Sequence, residues 1–165
     1  MKKLLMMAMA MLMAVTMSAQ SEKGGMAVGG NLNIGLDHGY TNFGIGAKFS
    51  YNFINHLRGE ASLDYFFPKD DVSQLGFNFN LHWVFDIKEK HGLYPIAGFA
   101  YLHQPADVFG GSVNTNHAGF NLGVGYEFRV SEHFKFGPEV KLQCIFGDGD
   151  SGSRGIIGIG AAYMF

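Results

Sequence analysis

The sequence has little cysteine and little charge. Its single cysteine, Cys144, excludes an intramolecular disulfide and a metal site built from several cysteines. Only 16% of the 165 residues are charged, and the formal net charge is −2. A mildly acidic chain offers no basic surface to a nucleic acid, so no such partner is expected. Beyond Ala19, no apolar run reaches the roughly 20 residues of a membrane-spanning helix.

The first nineteen residues differ in composition from the rest of the chain. Lys2 and Lys3 precede an apolar run over residues 4–17, and the small residues Ser18 and Ala19 follow it. This order is typical of a secretory signal peptide, and the run is too short to span a membrane. We therefore predict a signal peptide over residues 1–19 and one mature domain over residues 20–165, because a chain of this length suits a single domain.

The mature chain shows an alternation with a period of two. Bulky apolar residues occupy every second position, and glycine, asparagine or a charged residue lies between them, which is typical of a strand with two different faces. The pattern predicts eight strands, over residues 26–37, 42–53, 57–67, 74–85, 93–102, 117–130, 134–146 and 154–165. Tyr94 and Ile96 break the alternation in the fifth segment. Residues 103–116 are predicted to form the one long loop.

The less bulky face of these strands is poor in charge and rich in glycine. A soluble, lipocalin-like barrel would direct its bulky face inward and would need charged residues on the outside. Small and polar side chains instead suit the narrow interior of an eight-stranded barrel. The prediction is an all-β fold, an eight-stranded antiparallel up-and-down transmembrane β-barrel.

Aromatic residues fall at the predicted strand ends. Two aromatic girdles around an apolar band are what the two interfaces of a bilayer select. With the amino terminus on the periplasmic side, the upper girdle contains Phe43, Tyr65, Phe67, Phe77, Tyr101, Phe120 and Phe146. The lower girdle contains Tyr51, Phe53, Trp83, Phe85, Tyr126, Phe128, Phe134, Phe136, Tyr163 and Phe165.

The predicted inner face carries charges of both signs, and charges confined in so narrow a space must pair. The turn after the second strand places Lys48 opposite Ser62 and diagonal to Glu60 and Asp64. A salt-bridged polar plug is the favoured interpretation, and a narrow ion path, in which the pairs open, is the alternative. The predicted interior network consists of Lys48, Arg58, Glu60, Asp64, Glu127, Arg129, Lys135, Glu139 and Lys141.

The seven histidines form no HxH or HExxH spacing. His82 and His117 are expected to face inward from different strands, whereas His38 and His103 are expected in loops. No catalytic residue, metal ligand or cofactor is predicted.

The end of the chain carries the most specific resemblance to known proteins. Ile157, Ile159, Ala161, Tyr163 and the terminal Phe165 follow one another by twos. The chain resembles the small outer-membrane β-barrel proteins of the OmpX and OmpA-transmembrane-domain kind, and its end is similar to the signal that the barrel-assembly machinery recognises. The resemblance implies the outer membrane of a Gram-negative bacterium, with its lipid and lipopolysaccharide and that machinery as partners.

The resemblance does not imply a single activity, because one fold serves many functions. We expect a non-enzymatic protein with a structural or surface-interaction role through its extracellular loops, above all residues 103–116. A narrow pore for ions or small solutes and a lipid A-modifying enzyme are the alternatives.

Overall fold

The computed structural model describes residues 23–37, 40–69, 72–108, 111–146 and 151–165, so the predicted signal peptide lies outside the described residues. Within these ranges, no helix has the length and apolar character needed to cross a membrane. The strands are β1 (Met26–Asp37), β2 (Tyr40–Asn52), β3 (Leu57–Lys69), β4 (Val72–Trp83), β5 (Phe85–Lys88), β6 (His91–Val108), β7 (Gly111–Ser131), β8 (Phe134–Phe146) and β9 (Ser151–Met164).

The strands form one closed antiparallel ring. Consecutive strands pair with each other, except that β4 pairs with β6 and not with β5, and β1 also pairs with β9. The short β5 continues the line of β4 beyond Val84 and pairs with the start of β6, so these two segments make one strand of the barrel. The predicted eight-stranded antiparallel barrel is therefore confirmed. Closure leaves no unpaired strand edge within the ring.

The register sets the shape of the barrel. Following paired residues from Met26 once around the ring leads back to β1 at Leu36, ten residues further along. The path passes through Tyr51, Gly59, Leu81, Ala97, Leu122, Leu142 and Gly155. Such a stagger requires strands tilted by about 35–45° and gives an eight-stranded barrel an interior that side chains fill.

The bulky face points outward, as predicted. Leu32 and Phe43 are 61% and 62% exposed on the outer surface, whereas Asn80 and His82 are fully buried. The apolar residues therefore face the surroundings of the barrel, and the polar residues fill its interior.

The fifth predicted segment is more regular than its sequence indicates. Tyr94 and Ile96 are buried, whereas Leu93 before them and Pro95 between them are exposed. The alternation therefore continues, but here bulky side chains face the interior. Gly125, which is paired with Tyr94 across the strands, leaves the space that the large ring occupies.

The prediction of a long loop over residues 103–116 is wrong. Strands β6 and β7 stay paired from His103 and Asn116 to Val108 and Gly111. Residues 103–116 are therefore mostly a β-hairpin. The fourth predicted strand, residues 74–85, also differs, because β4 ends at Trp83 and β5 runs into the predicted turn.

Candidate functional site

The two ends of the barrel differ in their connections. Met26 and Phe165 lie at one end, which we call the terminal end, and the backbone N–H of Phe165 donates to the Met26 carbonyl at 2.8 Å. The turns after β2, β5 and β7 also lie there. The hairpins β1–β2, β3–β4, β6–β7 and β8–β9 turn at the opposite end, the hairpin end.

A buried carboxylate organises the interior near the terminal end. Glu127 accepts hydrogen bonds from Arg58 Nη1 at 2.6 Å, from Arg129 Nη2 at 2.9 Å and from Lys135 Nζ at 3.2 Å. These cations come from β3, β7 and β8, so a single carboxylate links three strands. Arg129 also donates to Asp86 at 2.7 Å.

A second group of charges lies around Glu139. Its Oε1 accepts from Lys48 Nζ at 2.8 Å and from the Tyr94 hydroxyl at 2.8 Å. Lys141 Nζ is 3.8 Å from Glu139 Oε2, and Lys48 Nζ is 3.6 Å from Glu60 Oε2. The structure therefore brings together every charged residue of the predicted interior network except Asp64.

Asp64 has a different environment. Its carboxylate accepts from the side-chain amides of Asn31 at 2.7 Å, Asn33 at 2.8 Å and Asn78 at 2.8 Å, and from the Ser62 hydroxyl at 3.1 Å. Lys48 does lie opposite Ser62. It nevertheless reaches Glu60 and Glu139, and four neutral donors satisfy Asp64 in the part of the chain that the structure describes.

An amide layer continues from Asp64 toward the hairpin end. The Asn121 amide donates to Asn78 Oδ1 at 3.0 Å, and the Gln143 amide donates to Asn121 Oδ1 at 2.9 Å. Arg154 Nε donates to Gln143 at 2.8 Å, and its guanidinium lies 4.6 Å from the centre of the Phe66 ring. The sequence pattern does not identify this layer, because it assigns asparagine and glutamine only to the polar inner face of the strands.

Tyr94 joins the two charged groups. Its ring stacks on His82 with centroids 4.8 Å apart, and the Arg58 guanidinium lies 4.7 Å from its centroid. Arg58 Nε donates to His82 Nδ1 at 3.2 Å. Tyr94 is one of the two residues that break the predicted alternation, because its ring faces the interior beside Gly125.

Little free space remains among these side chains. A cavity of about 20 Å³ is lined by Lys48, Arg58, Glu60, Tyr94, Glu127 and Lys135, among others. That volume holds about one water molecule. Within the described ranges, no group of three or more His, Cys, Asp or Glu residues is arranged to hold a metal ion.

The predicted lower girdle lies on the outer surface at the terminal end. Its members contact one another in edge-to-face pairs, with centroids 5.3 Å apart for Tyr51 and Phe53 and 5.2 Å apart for Tyr163 and Phe165. Phe128 and Phe136 form a similar pair at 5.6 Å. Ile157, Ile159 and Tyr163 of the predicted assembly signal are also exposed on the outer face of β9.

Several solved structures share this fold. The amino-terminal β-barrel domain of Pseudomonas aeruginosa OprF has a TM-score of 0.68 and 14% identity, covering 87% of this chain and 98% of that chain. Neisserial surface protein A has a TM-score of 0.71 and 15% identity, covering 86% and 96%. The attachment invasion locus protein Ail of Yersinia pestis has a TM-score of 0.57 and 21% identity, covering 87% and 99%.

Sequence comparison gives the family. Among curated protein sequences, none matches the chain. The model of the outer membrane protein beta-barrel domain family matches residues 5–165. The chain thus belongs to the outer membrane protein beta-barrel domain family.

Proposed function

We propose that the chain is a non-enzymatic outer-membrane protein that interacts with surface partners through the β6–β7 hairpin. The observation that carries the proposal is the unequal pairing of β7. Its pairing with β6 continues to Gly111, but its described pairing with β8 begins only at Ala118. Residues 111–117 of β7 therefore extend beyond the last described partner on β8.

Within the described residues, this edge of β7 has no partner strand, and such an edge is a site for strand addition. Its backbone N–H and C=O groups would form hydrogen bonds with an extended peptide, whose side chains then provide specificity. His103 Nδ1 and Asn116 Oδ1 are hydrogen-bonded at 2.8 Å across the hairpin, which joins its two strands beyond the barrel wall. An extended polypeptide segment fits this edge.

The polar interior argues against the pore alternative. Buried ion pairs lose their partners when they open, and an uncompensated buried charge is costly. Arg58 and Lys135 form ion pairs with Glu127, and Lys48 forms an ion pair with Glu139. We therefore assign these charges a structural role in the polar plug.

The arrangement around His82 argues against the enzyme alternative. This histidine is fully buried, and its neighbours are Arg58, Tyr94 and Glu60 rather than a nucleophile. A lipid A-modifying enzyme would require a catalytic set near a membrane interface. Its expression would change the mass of lipid A, whereas we expect no change.

The family and the predicted segments support the proposed cellular placement. The predicted signal peptide of residues 1–19 fits export across the inner membrane of a Gram-negative cell. The outer apolar band fits contact with outer-membrane lipid and lipopolysaccharide, and the end of β9 fits recognition by the barrel-assembly machinery. In this placement the hairpin end faces the cell exterior.

Shortening the hairpin tests the proposal. Residues 104–115 are replaced by Asn-Gly, which joins the paired residues His103 and Asn116 through a two-residue turn. Cells that display either chain are compared for adhesion to immobilised unfolded casein, a polypeptide with extended segments. We expect adhesion to fall several-fold in the shortened variant.

The matched control changes another connection at the same end without shortening it. Asp70 and Asp71 are replaced by Asn and Gly, and adhesion should remain at the wild-type level. A mobility change on boiling confirms that both variants form the barrel. Equal adhesion by the wild-type and shortened chains would contradict the proposed function.

A further inference from the structure

The three turns at the terminal end share one backbone arrangement. In each, a turn carbonyl accepts a hydrogen bond from the strand that follows in the ring, and the donor directly follows a residue of the lower girdle. These bonds run from Val84 to His56 at 2.7 Å, from Arg129 to Lys90 at 2.8 Å and from Met164 to His133 at 2.8 Å. The girdle residues before the donors are Trp83, Phe128 and Tyr163.

An imidazole in or directly after each turn contacts the same girdle residue: His56 and His133 lie in their turns, and the half-buried His91 is the first residue of β6. His56 stacks on Trp83 with centroids 6.5 Å apart and planes at 28°. His133 stacks on Tyr163 at 5.6 Å and 23°. His91 lies 5.0 Å from Phe128, and its ring is also hydrogen-bonded to the Tyr126 hydroxyl.

These imidazoles lie just beyond the apolar band. His56 and His133 are exposed, and the aromatic rings beneath them belong to the girdle that the bilayer interface selects. Lipid headgroups occupy this level. The repeated placement of one imidazole per turn therefore points toward a ligand in the headgroup layer.

We propose that His56, His91 and His133 form a collar that binds the phosphate groups of anionic phospholipids at the terminal end. An imidazolium donates a charge-assisted hydrogen bond to a phosphate oxygen. At His91 and His133 the aromatic centroid is 5.0 Å and 5.6 Å away, within reach of a cation–π attraction. The proposal concerns the end of the molecule opposite the hairpin.

The hydrogen bond of His56 determines which protonation form of its ring binds a phosphate oxygen. Its Nδ1 lies 3.2 Å from the Val84 carbonyl oxygen, which only accepts, so Nδ1 carries a proton and donates. Nε2 then becomes a donor to a phosphate oxygen only when the ring gains a second proton. An imidazolium is a stronger donor to a phosphate oxygen than a neutral imidazole, so lipid binding should be tighter at pH 5.5 than at pH 8.

Neighbouring groups modulate the three positions. The backbone N–H of Lys23 donates to Asn55 at 3.2 Å, which places a lysine residue beside the first turn. Glu89 and Lys90 lie in the second turn, and Glu132 precedes His133 in the third. Further ionisable groups at this rim are Tyr51, Tyr126, Tyr163, Lys135 and the Arg129–Asp86 pair. We expect the strongest binding at His56, since no acidic residue lies in its turn.

The chain contains one tryptophan, Trp83, so its fluorescence reports directly on the His56 position. The folded full chain in dodecyl maltoside micelles is titrated with dihexanoyl phosphatidylglycerol at pH 5.5 and at pH 8. An exposed charge pair corresponds to about a three-fold tighter affinity at pH 5.5. Equal affinity at the two pH values would overturn the proposal. Inorganic phosphate is titrated in parallel, and an equally strong response to it would overturn the assignment to lipid.

Two variants localise the effect. His56→Gln keeps an amide donor for the Val84 carbonyl but cannot gain a charge, so the difference between pH 5.5 and pH 8 should disappear. His38→Gln, between β1 and β2, is the control and should retain the wild-type difference. A pH effect at Trp83 that survives in His56→Gln, or that is lost equally in His38→Gln, would contradict the collar. The wild-type titration decides the question even if a variant fails to form the barrel.

Discussion

The carboxylate of Glu127 forms ion pairs with three interior cations. It is 4% exposed and contacts Arg58, Arg129 and Lys135. Glu127→Gln keeps the volume but removes the negative charge, and it leaves buried cations uncompensated. We expect the free energy of unfolding to fall by about 3–5 kcal/mol. Denaturant titration of the barrel in micelles, followed by Trp83 fluorescence, measures this change.

The matched control for that change is Glu132→Gln, which removes the same charge from an exposed turn. Its effect should stay within about 0.5 kcal/mol. Similar losses in the two variants would show that the Glu127 cluster has no special role in stability.

Gly137 shows how tightly the strands approach one another. A Cβ atom at this position would overlap the Tyr126 carbonyl and the Glu127 backbone of the neighbouring strand. We expect Gly137→Ala to destabilise the barrel by about 1–3 kcal/mol, because the backbone must move. Gly152→Ala, where a Cβ atom would meet nothing within 4 Å, should leave the denaturation midpoint unchanged. A neutral Gly137→Ala would contradict this description of the wall.

Some residue positions follow from the sequence and others do not. Period-two alternation fixes which face a residue occupies, and the short turn fixes its opposite partner, so the placement of Lys48 opposite Ser62 was predictable. The hydrogen-bond partners of Asp64 were not predictable. Its four donors come from β1, β3 and β4, and contacts across the lumen depend on the stagger of the closed ring.

At the scale of the strand, β9 and the Phe165 that follows it carry the predicted assembly signal. Removal of Phe165 should reduce the fraction of chain that reaches the folded barrel in cells several-fold, since the machinery would lose a recognition residue. Refolding of the purified chain into vesicles should change much less. The comparison of unboiled samples from cells and from vesicles measures both effects.

Phe43→Ala is the control for that experiment, because Phe43 is also an exposed outward aromatic residue but lies at the hairpin end. It should leave assembly in cells at the wild-type level. An equal loss in both variants, or a loss of Phe165 that impairs refolding as strongly as cellular assembly, would rule out a specific signal.

Strand boundaries follow from the sequence only where one face is buried. The predicted bounds of β1 and β8 agree with the structure because their alternation is continuous. Residues 103–116 show no alternation in the sequence, so the pairing of β6 with β7 in this region was not predictable. The alternation also did not predict the interruption between β4 and β5 at Val84, because Trp83 and Phe85 on either side of it both face outward.

At the scale of the whole molecule, the polar plug predicts an absence of conductance. The wild-type chain in planar bilayers should give no single-channel steps, because its interior cations are held by carboxylates. Steps that decrease when Lys48 and Glu60 are replaced would support the pore alternative and contradict the plug.

The closed ring and its outward apolar face together make the central claim, that the chain is an integral outer-membrane barrel. The most direct test is fractionation of cells that express the chain, followed by electrophoresis of boiled and unboiled outer-membrane samples. A closed barrel resists detergent until it is heated, so we predict a band in the outer membrane whose mobility changes on boiling. A soluble periplasmic band with the same mobility before and after boiling would contradict this account.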